Sequence, residues 1–342
     1  MQKQGIILGT AAGLNCPVRL IDTANPHLLE VGMSGFGKTF AMQRLEKSLA
    51  FVGAEIIVLN YNSTHSHLQA DEEAVIHWDI SEKGLPFPLF SAFKRPDGSR
   101  EDLFDIVESV VDVLGRVHPL QSRQRAALRS AVRKTLERHG EQADFNKLAF
   151  YLENTGEEVP LSIWEKFAPL FEKIKFTRLN GNLLESGKIL VLDMDKFTSQ
   201  LQCFASELIL AVLWRWFQLW GQFAKRPLYV VCDECQNLSL KKNSVLSQVL
   251  REGRKFNIGV LLATQSLTSF SKEQVSVIMQ AATQLYFHPA PNEARTLARL
   301  TGVEDIREME RKLMGLRRGE CIGVGRFRVG SMVVEHPVKI CI

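Results

Sequence analysis

The run Gly32-Met33-Ser34-Gly35-Phe36-Gly37-Lys38-Thr39 matches G-x-x-x-x-G-K-S/T. Glycines at that spacing let backbone N–H groups converge on phosphate oxygens, and the start of a following helix adds its positive end. A lysine here reaches β- and γ-phosphates, and the threonine hydroxyl can ligand Mg²⁺. The motif predicts a site for ATP and Mg²⁺ made by Gly32, Ser34, Gly35, Gly37, Lys38, Thr39 and Phe40.

Hydrolysis needs a carboxylate on the metal side and another to polarise water. Leu228 to Cys232 is an apolar run that ends in Asp233-Glu234. Asp233 is the expected metal-side acid, with Thr39, and Glu234 the expected general base. A second apolar run, Ile258 to Ala263, ends in Thr264-Gln265. Ligands bind at the carboxyl ends of parallel strands, so Gln265 is placed to bond both a γ-phosphate and the attacking water. Arg254 precedes the same run at its other end, where it could serve a neighbouring subunit's phosphates; Arg251 is its nearest rival. No N-K-x-D for reading guanine is present, which argues against a GTPase.

The elements that hold these residues alternate. His27 to Val31 reads as a buried strand and Thr39 to Phe51 as a helix, with apolar residues at Phe40, Met42, Leu45 and Leu49. Ala54 to Leu59, Lys188 to Leu192, Leu228 to Cys232, Ile258 to Ala263 and Gln284 to Phe287 are apolar runs of the kind found in sheets covered on both faces. Amphipathic stretches separate most of them, which predicts an α/β fold: a mostly parallel, doubly wound sheet with right-handed crossovers.

Between about Pro86 and Gly187 the pattern changes to helices at Arg100–Leu114, Gln121–His139, Asp144–Asn154 and Pro160–Phe171, a helical insertion. The chain thus divides into a short N-terminal β segment (1–26), a first part of the core with the P-loop (27–85), the insertion (86–187), a second part of the core (188–301), and a C-terminal helix and β-hairpin (302–342).

The 342 residues carry 42 Lys and Arg against 38 Asp and Glu, a net charge of +4, which is too weakly basic to name a partner. Six scattered cysteines do not make a disulfide framework and fit a reduced, cytoplasmic setting. Cys232 and Cys235 form one C-x-x-C without a second pair or suitably spaced histidines, so packing is the better reading than zinc. His65, His67 and His77 with Asp79 read as a solvated loop. Leu208 to Phe223 is apolar but broken by Arg215 and Gln218, so no membrane span is expected. Trp214, Trp216 and Trp220 on that helix suit core packing, and Arg125, Arg129 and Arg133 suit a charged helix face.

Taken in order, the Pro26 to Gly35 lead-in with its P-loop, Leu228 to Glu234, and Arg251-Glu252-Gly253-Arg254-Lys255-Phe256-Asn257-Ile258 running on to Gln265 resemble the HerA/FtsK superfamily of ring ATPases, in its HerA-like branch. That branch includes conjugation and type IV secretion ATPases. The insertion and Leu316-Arg317-Arg318-Gly319-Glu320 also look like it.

The resemblance implies a RecA-like P-loop core assembled as a homo-oligomer, a hexamer, with ATP at subunit interfaces and double-stranded DNA, or in some relatives protein, passing through the centre. It implies that Arg254 is an arginine finger for the neighbour's ATP. It also implies work beside a separately encoded nuclease in DNA processing or antiviral defence. Two departures stand out: only a fragment precedes His27 where relatives often carry a β-barrel, and Asn60 stands where relatives commonly have Asp.

A DNA translocase needs a basic pore, for which Lys241, Lys242 and Lys272 are the candidates. The rival reading is a secretion-type motor or an assembly platform acting on protein. Asp233-Glu234-Cys235-Gln236 also reads as a helicase D-E-x-Q, but too little chain follows Gln265 for a second RecA-like domain, and no ABC signature is present.

Overall fold

The computed structural model describes residues 6–14, 16–21, 25–62, 65, 74–87, 89–177 and 187–342. In chain order, β1 (Ile7–Ala11) and β2 (Pro17–Leu20) precede β3 (Leu28–Val31), the P-loop and α1 (Lys38–Phe51). Then come β4 (Glu55–Asn60), β5 (Val75–Asp79) and α2 (Ile80–Lys83). The insertion supplies α3 (Leu103–Val117), α4 (Ser122–His139), α5 (Phe145–Glu153) and α6 (Glu158–Lys173). The core resumes with β6 (Ile189–Asp193), α7 (Ser199–Trp220), β7 (Leu228–Cys232), α8 (Val245–Glu252), β8 (Ile258–Thr264), α9 (Lys272–Ile278) and β9 (Thr283–Tyr286). It closes with α10 (Ala294–Leu300), α11 (Ile306–Met314), β10 (Glu320–Val324), β11 (Phe327–Val329), β12 (Met332–Val334) and β13 (Val338–Cys341).

All these strands lie in one sheet, in the order β12-β11-β2-β1-β13-β10-β9-β3-β8-β7-β4-β6-β5. From β9 to β5 every pairing is parallel, and from β10 to β12 every pairing is antiparallel. The parallel strands are apolar on both sides because both faces are covered. Ile57 and Leu59 of β4 face one core cluster while Ile56 and Val58 face the other. On the second face α1 presents Ala41, Met42, Leu45 and Leu49, spaced as one helical stripe. The first face receives residues from every later helix.

The insertion forms the four helices expected from periodicity, each within a few residues of its expected bounds. Asp102 and Asp105 form a reciprocal cap at the start of α3, and the Asp144 side chain accepts the Lys147 N–H at the start of α5. Arg215, the charge that interrupts the apolar run of α7, is buried in an ion pair with Glu101 and lies over the Phe93 ring. Among the described residues no helix is long and apolar enough to cross a membrane. Trp214 is buried, and Trp220 donates to Lys94 O at 2.6 Å, so these tryptophans anchor α7.

Two expectations need correction. Val75–Asp79, read as a loop, is the edge strand β5, whose half-buried VIHWD sequence lacks the apolar run of a central strand. The tail is not a simple terminal hairpin: β13 inserts between β10 and β1, and β11 pairs with β2, so the N-terminal segment and the tail build one antiparallel extension. His67 lies outside the described residues. The other members of that histidine group go to separate partners: His65 to Glu46, His77 to Asp193, and Asp79 to the cap of α2 and to Lys196.

Candidate nucleotide-hydrolysis site

β3 lies between β8 and β9, second from one end of the parallel strands, and its carboxyl end delivers the P-loop. The loop is tied to both neighbours: Gly32 N–H donates to Thr264 O at 3.3 Å and Met33 N–H to His288 O at 2.9 Å. Gly37, just before α1, has φ 107°, a left-handed value that costs glycine little and other residues much. Lys38 follows, 7% exposed, with Nζ donating to Gly32 O at 2.7 Å and Met33 O at 3.1 Å, so the ammonium is folded into the loop. Burial pulls its pKa below the ordinary lysine value, against the raising effect of Asp233, Glu30 and Glu234. Ser34 and Gly35 are exposed at the loop's rim, and Phe40 on the first turn of α1 is 61% exposed.

Across from the loop, β7 and β8 deliver the acids and the glutamine. Thr39 Oγ1 donates to Asp233 Oδ2 at 2.8 Å. Asp233 is buried, and burial raises its pKa against the Thr39 hydrogen bond and the charges of His65 and Lys38. Glu234 is half-buried and held from two sides: Gln265 Nε2 donates to Oε1 at 3.2 Å, and Gln236 Nε2 donates to Oε2. Lys38, Thr39, Asp233, Glu234 and Gln265 are therefore gathered at one place, as the motifs required. Gln236, seen in the sequence only within a D-E-x-Q reading, is the partner on the other side of Glu234.

Sequence reasoning missed a set of supporting groups. Asp193, at the end of β6, accepts from Asn60 Nδ2 at 2.6 Å and pairs with His77 Nδ1 at 3.2 Å, so an acid stands one strand beyond Asn60. Glu46 on α1 and His65 form a buried pair at 3.1 Å. Burial alone would lower the His65 pKa, but the Glu46 hydrogen bond and charge, with Asp233 and Asp193, hold it above the ordinary value. Glu30 on β3 is fully buried, and neither carboxyl oxygen has a hydrogen-bond partner among the described residues; burial, then Asp233, raises its pKa well above the usual range. Glu293 is 1% exposed, and its Oε1 accepts from Leu267 N and Thr268 N, each at 2.8 Å, and from Ser266 Oγ. That single oxygen shapes the loop directly after Gln265. Apart from Glu30, each of these groups meets its partner well away in the chain, and only their charge marks them in sequence.

Arg254 sits elsewhere. α8 ends at Glu252 and a tight turn over 253–256 leads into β8. Gly253 permits it, since a Cβ there would stand 2.8 Å from Ile258 O. Arg254 is exposed at the amino end of β8, and seven strand residues, roughly 20 Å, separate it from the carboxyl end that carries Gln265. It does not join its own P-loop. Arg251 is exposed nearby at the end of α8. Lys241 and Lys242 are exposed on the loop after β7, and Lys272 is exposed at the start of α9 after β8.

The oxygen donors of Thr39 and Asp233 suit a hard cation such as Mg²⁺, which takes one or two protein oxygens plus phosphates and needs no dense acidic cage. Among the described residues no group of three or more His, Cys, Asp or Glu could hold a metal by itself. Cys232 and Cys235 are fully buried, and burial pushes the Cys232 thiol up to about 12, so this C-x-x-C is packing, as expected.

No protein-family model and no curated protein matches this sequence. Solved structures do. VirB4 of Thermoanaerobacter pseudethanolicus superposes with a TM-score of 0.73 at 15% identity, over 99% of this chain and 97% of that one. The plasmid coupling protein TrwB, in complex with the non-hydrolysable ATP analogue ADPNP, gives 0.69 at 15% identity over 97% and 88%. TrwB with ADP and Mg²⁺ gives 0.67 at 13% over 94% and 87%. At such identities the likeness establishes the fold: a RecA-like P-loop domain, in agreement with the HerA/FtsK resemblance of the motifs.

Proposed function

We propose that this chain is the ATP-hydrolysing subunit of a ring motor, a hexamer, that translocates double-stranded DNA. The observation that carries the reading is the pair of contacts joining the first turn of α1 to the ends of β7 and β8: Thr39 to Asp233, and Gln265 to Glu234. They hold a metal-side acid and a water-facing acid beside a phosphate loop. The likeness to TrwB, solved with an ATP analogue and with ADP and Mg²⁺, supports the same ligands here.

In this reading the P-loop amides and Lys38 bind the phosphates, while Thr39 and Asp233 hold Mg²⁺. A Mg²⁺ ion held by Thr39 and Asp233 would supply positive charge to offset that of the phosphates. Glu234 takes a proton from the attacking water as its oxygen bonds to the γ-phosphorus and the bond to the ADP oxygen breaks. Gln265 donates to Glu234 and turns between that carboxylate and the γ-phosphate, so it senses the nucleotide. Arg254 acts in trans on the neighbour's γ-phosphate, because its own P-loop lies at the other end of β8. Its charge completes hydrolysis only in the assembled ring.

For the DNA substrate, support comes from the likeness to a plasmid coupling protein and from Lys241, Lys242 and Lys272, exposed in the segments that follow two adjacent strands. The six cysteines are all unpaired, which suits the cytoplasm. Any cutting of DNA belongs to a separate nuclease.

The test is the steady-state ATPase rate with and without long double-stranded DNA, with solution mass measured in the same buffer. A hexamer stimulated severalfold supports the translocase. A hexamer indifferent to DNA overturns it in favour of a motor acting on protein.

A further inference from the structure

The turn between α11 and β10 lies against the phosphate loop. Gly319 N–H donates to Phe36 O at 3.0 Å, and a Cβ on Gly37 would stand 3.4 Å from Gly319 Cα. A second link runs through the residue after Phe287. The His288 ring stacks on Phe36 with centroids 4.4 Å apart, and its Nδ1 donates to Leu316 O at 3.1 Å. Both flanks of the turn are thus fastened to the loop, and the two residues between them are Arg317 and Arg318. Both side chains are exposed. Glu320, the acid beside them, is engaged by Lys339 at 2.9 Å and by the Arg317 backbone N–H at 2.8 Å.

Sheet order gives these arginines a direction. β8 and β7, which carry Gln265, Asp233 and Glu234, lie on one side of β3; β9 and β10 lie on the other. A nucleotide on the P-loop turns its γ-phosphate toward the acids. Its α-phosphate and nucleoside then extend toward the β9 and β10 side, where the turn stands. Guanidinium groups bind phosphate through paired N–H donors and stack on planar bases, so the residue type fits that end of the ligand.

We infer that Arg317 and Arg318 bind the α-phosphate and nucleoside end of the nucleotide held by their own subunit's P-loop. This rests on the nucleotide reading of the P-loop and adds a cis pair opposite in role to Arg254. The bonds it makes are to the part of ATP that does not react. Their strength is equal in ground and transition states, so they set affinity and leave the chemical step alone. ADP, which keeps that end, is held as well as ATP.

The experiment is calorimetric titration of ADP with Mg²⁺, together with ATPase kinetics, on wild type, Lys38→Ala, Arg317→Ala, Arg318→Ala and the double arginine variant. Lys312→Ala, on the exposed face of α11, is the control. The double variant is expected to raise the Kd for ADP and the KM for ATP about tenfold or more, with kcat within about twofold of wild type. Replacing both arginines by lysine should recover part of the affinity. Wild-type ADP affinity in the double variant, alongside loss of binding in Lys38→Ala, overturns this inference and leaves the P-loop reading standing. Unchanged ADP binding in Lys38→Ala overturns the P-loop reading itself. A fall in kcat at constant Kd, or a lower unfolding temperature without nucleotide, makes the arginines catalytic or structural and also overturns the inference.

Discussion

The Thr39 hydroxyl donates to Asp233 Oδ2 at 2.8 Å, so the first turn of α1 and the end of β7 are joined at the place proposed for the metal. Glu234, the next residue, is separately clamped by the amides of Gln265 and Gln236. The two adjacent acids therefore have different partners and, in the proposed mechanism, different work. Asp233→Asn should weaken the Mg²⁺ dependence of nucleotide binding. Glu234→Gln should bind ATP near wild-type affinity and turn it over at least about 100-fold more slowly, because an amide cannot accept the water's proton. It also loses one of the two clamping bonds, since its own NH₂ must face one of the donors. Single-turnover kinetics beside ATP binding check this; a Glu234→Gln protein with normal turnover removes Glu234 as the base.

Arg254 stands a strand's length from its own P-loop, so in the proposed ring its effect depends on neighbours. Arg254→Ala should bind ATP normally and lose about 1,000-fold in turnover. Mixed with Glu234→Gln subunits, which keep the finger but lack the base, it should regain part of the activity. Each mutant supplies what the other lacks. If mixing restores nothing while Arg251→Ala does complement, the trans residue is Arg251.

How far the sequence reveals this site depends on how local each signal is. The P-loop, the apolar run before Asp233-Glu234 and the one before Gln265 are short segments with their chemistry written beside them, and each lies where its pattern implied. β5 escaped because an edge strand is only half covered, and Val75–Asp79 reads as a mixed loop. The C-terminal strands escaped as a group because their partners are remote: β13 pairs with β1, and β11 with β2, at the opposite end of the chain. No local pattern encodes such a pairing. Glu293 and Asp193 were invisible as site residues for the same reason, since what they hold comes from other elements.

Glu293 is the clearest of those hidden supports. One buried oxygen accepts from Leu267 N, Thr268 N and Ser266 Oγ, and so sets the path of the chain leaving Gln265. Without it, Gln265 should wander from Glu234. Glu293→Ala is expected to lower kcat about tenfold with KM for ATP unchanged, whereas Glu293→Gln, which keeps an acceptor oxygen, should recover most of the rate. A KM effect, or equal loss in both variants, would show that the carboxylate does something other than hold the loop.

Glu207 on α7 gives the fold a pH dependence of known sign. It is buried, its Oε1 accepts the Ser239 N–H at 2.7 Å, and Ser239 begins the loop that carries Lys241 and Lys242. Burial raises its pKa from 4.5 to about 7, against that hydrogen bond and the Lys241 charge. Below pH 4.5 both folded and unfolded forms are protonated and burial costs no charge. Between pH 4.5 and 7 the unfolded chain has released its proton while the folded one retains it, so stability falls as pH rises, and above 7 it levels off. The shift corresponds to a loss on the order of 3 kcal/mol across the window. His27, lowered by burial to about 4, slopes the opposite way between pH 4 and 6.5, so the two partly cancel in the wild-type curve. The difference between Glu207→Gln and wild type isolates one of them, because His27 is common to both. Urea unfolding from pH 4.5 to 8 should show the variant gaining on wild type up to pH 7 and holding a constant lead above it. Parallel profiles would mean that Glu207 is ionised in the fold, with Lys241 supplying the compensating charge.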